Sequence, residues 1–96
     1  MSWIDIVMDL LCRIYQDLGG DCKDLYANPS QAPTKVVSAY TTNGAPKFSN
    51  PNDKKAFLES LTDLATELAS PDNTFSPTDT AALTAMIADL RKDLGA

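Results

Sequence analysis

Along "MSWIDIVMDLLCRIYQDL" the apolar residues Trp3, Ile4, Val7, Leu10, Leu11, Ile14, Tyr15 and Leu18 return at helical spacing, and Asp5, Asp9, Arg13 and Asp17 form one narrow polar stripe among them. Apolar positions that recur with a period near 3.6 residues lie on one helix face, so this spacing predicts a first helix over 2–18. Ser2 is placed to cap its start, and Gly19 or Gly20 can take the left-handed conformation that closes it. Ile6, Met8 and Cys12, on the flanks of the stripe, are apolar too. A helix with so little polar surface has to be covered on most sides, by its own domain or by another chain.

The C-terminal half carries the same signal twice. "FSNPNDKKAFLESLTDLATEL" and "FSPTDTAALTAMIADLRKDL" superimpose from the proline onward, with Pro51 on Pro77, Asp53 on Asp79, Phe57 on Leu83, Leu61 on Ile87, Leu64 on Leu90 and Leu68 on Leu94. Each begins with a cap residue (Asn50, Ser76), a proline at the first helical position and an acid two residues later that can complete a capping box. Two helices over 51–69 and 77–94, joined by a short turn near Ser70 to Phe75, make an antiparallel hairpin. Two independent helices obeying the same capping rules account for the likeness without a duplication.

Between these halves, residues 19–50 have no sustained period and hold Gly19, Gly20, Gly44, Pro29, Pro33 and Pro46. Long structureless loops are uncommon inside compact domains, so short elements are expected here. "PTKVVSAYTTNG" (33–44) reads as a short helix opened by Pro33 and closed at Asn43-Gly44, or as a strand ending in an Asn-Gly turn; Pro46 disfavours a return strand. The expected architecture is all-α: one domain over 1–96, a small helical bundle with an N-terminal apolar helix, an irregular middle and a C-terminal helical hairpin.

Composition narrows the function. With 44% apolar and 22% charged residues the chain has the make-up of a folded domain. A net charge of −5 with scattered basic residues argues against gripping a nucleic-acid backbone. The N-terminal apolar stretch lacks a basic leader and is interrupted by Asp5, Asp9, Arg13 and Asp17, which fits neither a signal peptide nor a membrane span. An intracellular protein follows, in which Cys12 and Cys22 default to thiols; a disulfide between them is geometrically open, because the chain reverses in the intervening residues.

Histidine is absent, which removes the commonest general base and metal ligand, and no phosphate-binding, zinc or calcium motif is present. No enzyme activity, metal or cofactor is expected. "LGGDCKDL" (18–25) resembles, over a few residues, the attachment loop of acyl carrier proteins, which are small, acidic and helical; Cys22 stands where their phosphopantetheine-bearing serine would be, and "CKDLYANPSQAP" breaks where that family runs a long helix. The glycines and Asp21 are explained more simply as a helix stop followed by a cap, with Leu25 and Tyr26 packing back on the core. "LASPDNTFSPTDTAAL" (68–83) resembles the proline-bracketed turn of type III secretion needle proteins, whose second helix is much longer than the one ending here.

Two features point to a partner. Glu59, Asp63 and Glu67 stack at i, i+4, i+8 on the second half's first helix, with Asp89 and Asp93 repeating the spacing on the next. Such like-charge pairs, and an acid in a helix's last turn, cost on the order of 0.3 to 1 kcal/mol each. A basic protein partner would relieve that cost; so would water, with help from Lys54 and Lys55 lying near Glu59, Asp89 and Asp93. The other feature is the apolar first helix, where Trp3, Val7, Leu11 and Tyr15 are the candidate partner-binding residues, aromatics being enriched at interface hot spots. The leading expectation is a non-catalytic protein-binding module, such as an adaptor, chaperone or inhibitor. A homo-oligomeric assembly protein burying that helix in copies of itself comes second, and a small-ligand carrier with a cavity between the first helix and the middle segment third.

Overall fold

The computed structural model describes residues 2–96, which form five α-helices and one 3-10 turn: α1 (Trp3–Asp17), α2 (Cys22–Ala27), the 3-10 turn (Pro29–Gln31), α3 (Ala32–Asn43), α4 (Pro51–Leu68) and α5 (Pro77–Asp93). There is no strand among the described residues, so the ambiguous stretch 33–44 is helical. α1 packs against α2, α3 and α4, while α5 packs on α3 and α4. One apolar cluster joins all five helices.

That packing follows from the sequence periods. Val7, Leu11 and Ile14 are fully buried on α1, and the two heptad-like series meet them with Phe57, Leu61, Leu64 and Leu68 from α4 and Leu83, Ile87 and Leu90 from α5. The middle segment contributes Leu25, Ala32 and Val36, all without solvent exposure. Its partner at 26 behaves otherwise: Tyr26, expected to pack back on the core, is 54% exposed, because α2 is a six-residue helix with room for one inward residue.

Helix ends are made as their residues dictate. Asn50 accepts from the Asn52 amide at 2.8 Å, Ser76 from the Asp79 amide at 3.1 Å, and Asp21 from the Lys23 amide at 3.0 Å, each supplying an acceptor to an otherwise unpaired first-turn N–H. Ser2 makes no such bond; its hydroxyl donates to Asp5 at 2.9 Å. At the end of α1 the amides of Gly19 and Gly20 donate to the carbonyls of Gln16 and Tyr15, at 3.0 and 2.8 Å, the paired bonds of a Schellman stop. Gly19 has φ +93°, and a Cβ on Gly20 would collide with the Tyr15 ring, so both glycines are required for different reasons. In the α4–α5 turn, the Asn73 side chain donates to the Leu68 carbonyl at 2.9 Å and the Thr80 hydroxyl at 3.1 Å, and accepts from the Phe75 amide at 2.7 Å.

The cysteines differ from their expected state. Cys12 of α1 and Cys22, the first residue of α2, form a disulfide with Cα atoms 5.1 Å apart. The Schellman stop reverses the chain and brings the opening of α2 beside the middle of α1, which makes the pairing possible. The surface lysines also differ: neither Lys55 with Glu59 nor Lys54 and Lys55 with Asp89 and Asp93 close to an ion pair, and among the described residues the one such pair is Arg13–Asp9 at 3.0 Å. Asp93 instead accepts a hydrogen bond from the Tyr40 hydroxyl, tying α3 to the end of α5.

Two outcomes follow. Replacing both cysteines by serine frees the short loop that the disulfide closes, and is expected to cost roughly 2 to 3 kcal/mol in denaturant unfolding; an unchanged midpoint would show that the link contributes nothing. The Tyr40 phenol is pushed up to about 12 by its bond to Asp93, then by burial and by the charges of Asp93 and Asp89. Its raised value means that the stabilisation is complete below the ordinary tyrosine range and is lost as pH rises towards that value. Ultraviolet titration should show a late step for Tyr40 that is absent in Tyr40→Phe.

Candidate functional site

The surface left uncovered by this packing is the outward side of the first half of α1, with Asp5 and Asp9 along its middle and one isoleucine on either flank. Ile4 and Ile6, at 37% and 36% exposure, lie there; with Tyr26 they are the exposed large apolar side chains among the described residues. All three line one groove of about 860 Å³. α1 forms its floor, with Asp5 and Asp9 between the apolar Ile4 and Met8 on one side and Ile6 and Leu10 on the other, α4 supplies one wall through Asp63, Thr66 and Glu67, and Tyr26 and Pro29 line it too. Single exposed apolar residues need no explanation, whereas a gathered set in a concavity is the usual mark of a binding surface.

Each wall has a local cause. Tyr26 and Pro29 stand beside α1 because the disulfide fixes the start of α2 to Cys12 and because Leu25 is buried in the core. The α4 wall is held at its far end by Trp3, whose indole N–H donates to the Glu67 carbonyl at 3.0 Å while its ring meets Phe75 edge-on, centroids 5.0 Å apart. The same carbonyl, in the last turn of α4, also accepts from the Ser70 amide at 3.1 Å, so the indole is its second donor and ties the start of α1 to the end of α4.

The groove is acidic. Asp5 and Asp9 from α1 and Asp63 and Glu67 from α4 line it, and no lysine or arginine does. Arg13, paired with Asp9, lies outside it in a polar furrow of about 340 Å³ between α1 and α4, together with Asp17, Glu59 and Asp63. The pair is well exposed on both sides, 61% and 57%, so it leaves Asp9 open to another cation and adds little stability. The acid row of α4 is thus divided: Glu59 faces the furrow, Asp63 borders both hollows and Glu67 faces the groove.

The residues singled out on α1 have a different place. Val7 and Leu11 are fully buried and Tyr15 is 9% exposed, so they serve the chain's own core. Trp3 is half-buried in the clamp on Glu67. The physical reason is that α2, α3 and α4 together cover the broad apolar face that the hairpin alone was too narrow to cover. Ile4, Ile6 and Tyr26 were passed over as site residues, although the unbroken apolar flank around the polar stripe was a signal that some of α1 would stay uncovered.

No protein family matches this chain, and no curated protein and no solved structure matches it either. What the site can do has therefore to come from its own chemistry. The groove offers apolar contact and negative charge. Both cysteines are held in the disulfide, and no group of three or more potential metal ligands occurs among the described residues. No helix among them is long and apolar enough to cross a membrane.

At the end of the furrow, burial and then the neighbouring Asp53 carboxylate raise the Asp17 pKa above its usual value. A raised acid pKa means that the folded protein binds this proton more tightly, so ionised Asp17 weakens the fold at neutral pH and the loss is recovered as pH falls through the raised value. Asp17→Asn should therefore melt higher than the parent at neutral pH, with the advantage vanishing in acid below pH 3.8, the ordinary value. Equal melting of the two proteins at neutral pH would contradict the penalty placed on the ionised carboxylate by partial desolvation and the Asp53 charge.

Proposed function

We propose that the chain is a non-catalytic protein-binding module that receives part of another protein in the groove along α1. The observation that carries this reading is the gathering of Ile4, Ile6 and Tyr26 into one concavity, with the other large apolar side chains among the described residues buried or partly buried against the core. The lack of histidine and the oxidised state of both cysteines remove the side chains most often used as bases and nucleophiles, which favours binding over catalysis.

Self-assembly through the same face is disfavoured. A two-fold dimer would set Asp5, Asp9, Asp63 and Glu67 against their own copies, and like charges facing each other across an interface cost several kcal/mol by the usual order of magnitude, about 2 or more. A carrier of small ligands would use the space between the first helix and the middle segment, where the groove indeed lies. Its openness along α1 and its four carboxylates suit a macromolecular segment better than an enclosed small molecule. The disulfide supports an oxidising setting over the intracellular one that the sequence suggests.

A photo-reactive residue placed at Ile6 in the source cells should yield a discrete adduct with a different protein, and the same residue at Thr84, on an exposed part of α5 outside the groove, should not. Identical adducts from both positions, or adducts of the chain with itself alone, would defeat the proposal.

A further inference from the structure

We infer that the occupant of the groove is a basic amphipathic α-helix of another protein, laid along α1 with its cations towards Asp5, Asp9, Asp63 and Glu67 and its apolar side chains on Ile4 and Ile6 to either side of the Asp5 and Asp9 row. This inference rests on the docking reading above and names the partner's chemistry.

Charge sets the sign of the partner. Two helices distant in sequence bring four carboxylates to one concavity; Asp9 is shared with Arg13 outside it, and among the described residues no cationic side chain lines the groove against Asp5, Asp63 and Glu67. Open to solvent, they attract a basic segment and repel nucleic acid and anionic lipid headgroups alike. Backbone chemistry sets the partner's form. An extended peptide recognised through its main chain needs a sheet edge to receive its N–H and C=O groups, and there is no strand among the described residues. A helix satisfies its own backbone and can present side chains at i, i+3 and i+4 to an apolar floor.

A second copy of this chain does not meet the requirement. Its exposed large apolar side chains among the described residues are those of the groove itself, so no basic helix on its surface also carries an apolar face to insert. Arg91 and Lys92, in the last turn of α5, are flanked by Asp89 and Asp93, and Lys54 and Lys55 by Asp53 and Glu59. A heterologous contact between copies therefore lacks its second half.

The test uses the intact oxidised chain, isotope-labelled for amide chemical-shift mapping, and three synthetic peptides about four turns long with the same amphipathic pattern. They are built from Leu and Lys, Leu and Ser, or Leu and Glu. The Leu/Lys peptide should shift the amides of Ile4, Ile6, Tyr26, Asp63 and Glu67, and the Leu/Glu peptide should leave them in place. Combining Asp63→Asn with Glu67→Gln should weaken the Leu/Lys peptide by about tenfold, the effect of losing two exposed charge contacts. Combining Ile4→Ser with Ile6→Ser should weaken it at unchanged net charge, which separates groove binding from general attraction between opposite charges. These four side chains are solvent-facing or at the rim, and unchanged melting curves would establish that the variants fold.

If the Leu/Ser or Leu/Glu peptide binds the groove as tightly as the Leu/Lys peptide, the basic partner is refuted while docking stands. If no peptide shifts the groove amides, or the Leu/Lys peptide shifts only residues elsewhere, the inference and the docking reading both fail.

Discussion

Val7, Leu11 and Ile14 occupy one face of α1 at zero exposure, with Leu18 beside them at 3%, and taking each such side chain out of water is worth roughly 1.5 to 3 kcal/mol. No single helix can cover a face so broad. α4 brings Phe57, Leu61 and Leu64 to it, α3 brings Ala32 and Val36, and α2 adds Leu25 before the chain moves on. The order of the layers follows from this need: α1 lies against three helices, and α5 closes the hairpin over α3 and α4. Because α2 is only six residues long, it meets the first half of α1 only through Tyr26 at the groove, and Ile4 and Ile6 stay at the surface.

Local devices hold that arrangement in register. The Schellman stop at Gly19 and Gly20 turns the chain back on α1, and the disulfide then fixes where α2 begins. Gly20 also lets the buried Tyr15 ring lie against the backbone, so one residue serves both the turn and the core. At the opposite end of the molecule Trp3 joins the start of α1 to the end of α4, and Asn73 braces the turn that follows. The two walls of the groove are therefore built on fixed points, one covalent and one hydrogen-bonded. Positions supported in this way suit recognition, because less conformational freedom remains to be lost on binding.

The charge pattern acquires its meaning from the same geometry. Glu59, Asp63 and Glu67 look alike along α4, yet antiparallel packing against α1 sends the first towards Arg13 and Asp17 and the last towards Asp5 and Asp9. Asp93, expected to balance the lysines of α4, is instead used by Tyr40 to link α3 with α5. A row of acids on one helix is commonplace on a solvated surface. Two rows from different helices meeting beside exposed isoleucines concentrate negative charge and apolar surface in one concavity.

The positions of α1, α4 and α5, the caps at Asn50 and Ser76 and the inward stripes of α4 and α5 were legible in the residues themselves, because they rest on interactions among neighbours three or four positions apart. Asn50, Ser76, Pro51 and Pro77 state where helices begin, and the series from Phe57 to Leu68 and from Leu83 to Leu90 states which side faces in. The all-α class followed from these alone. The pairing of Cys12 with Cys22 and the outward turn of Tyr26 were not legible. Nor was the meeting of Asp5 and Asp9 with Asp63 and Glu67, nor which flank of an almost wholly apolar helix stays in water. Each depends on how far a neighbouring helix reaches and which residues distant in the chain arrive beside it, and periodicity along one segment carries no record of either.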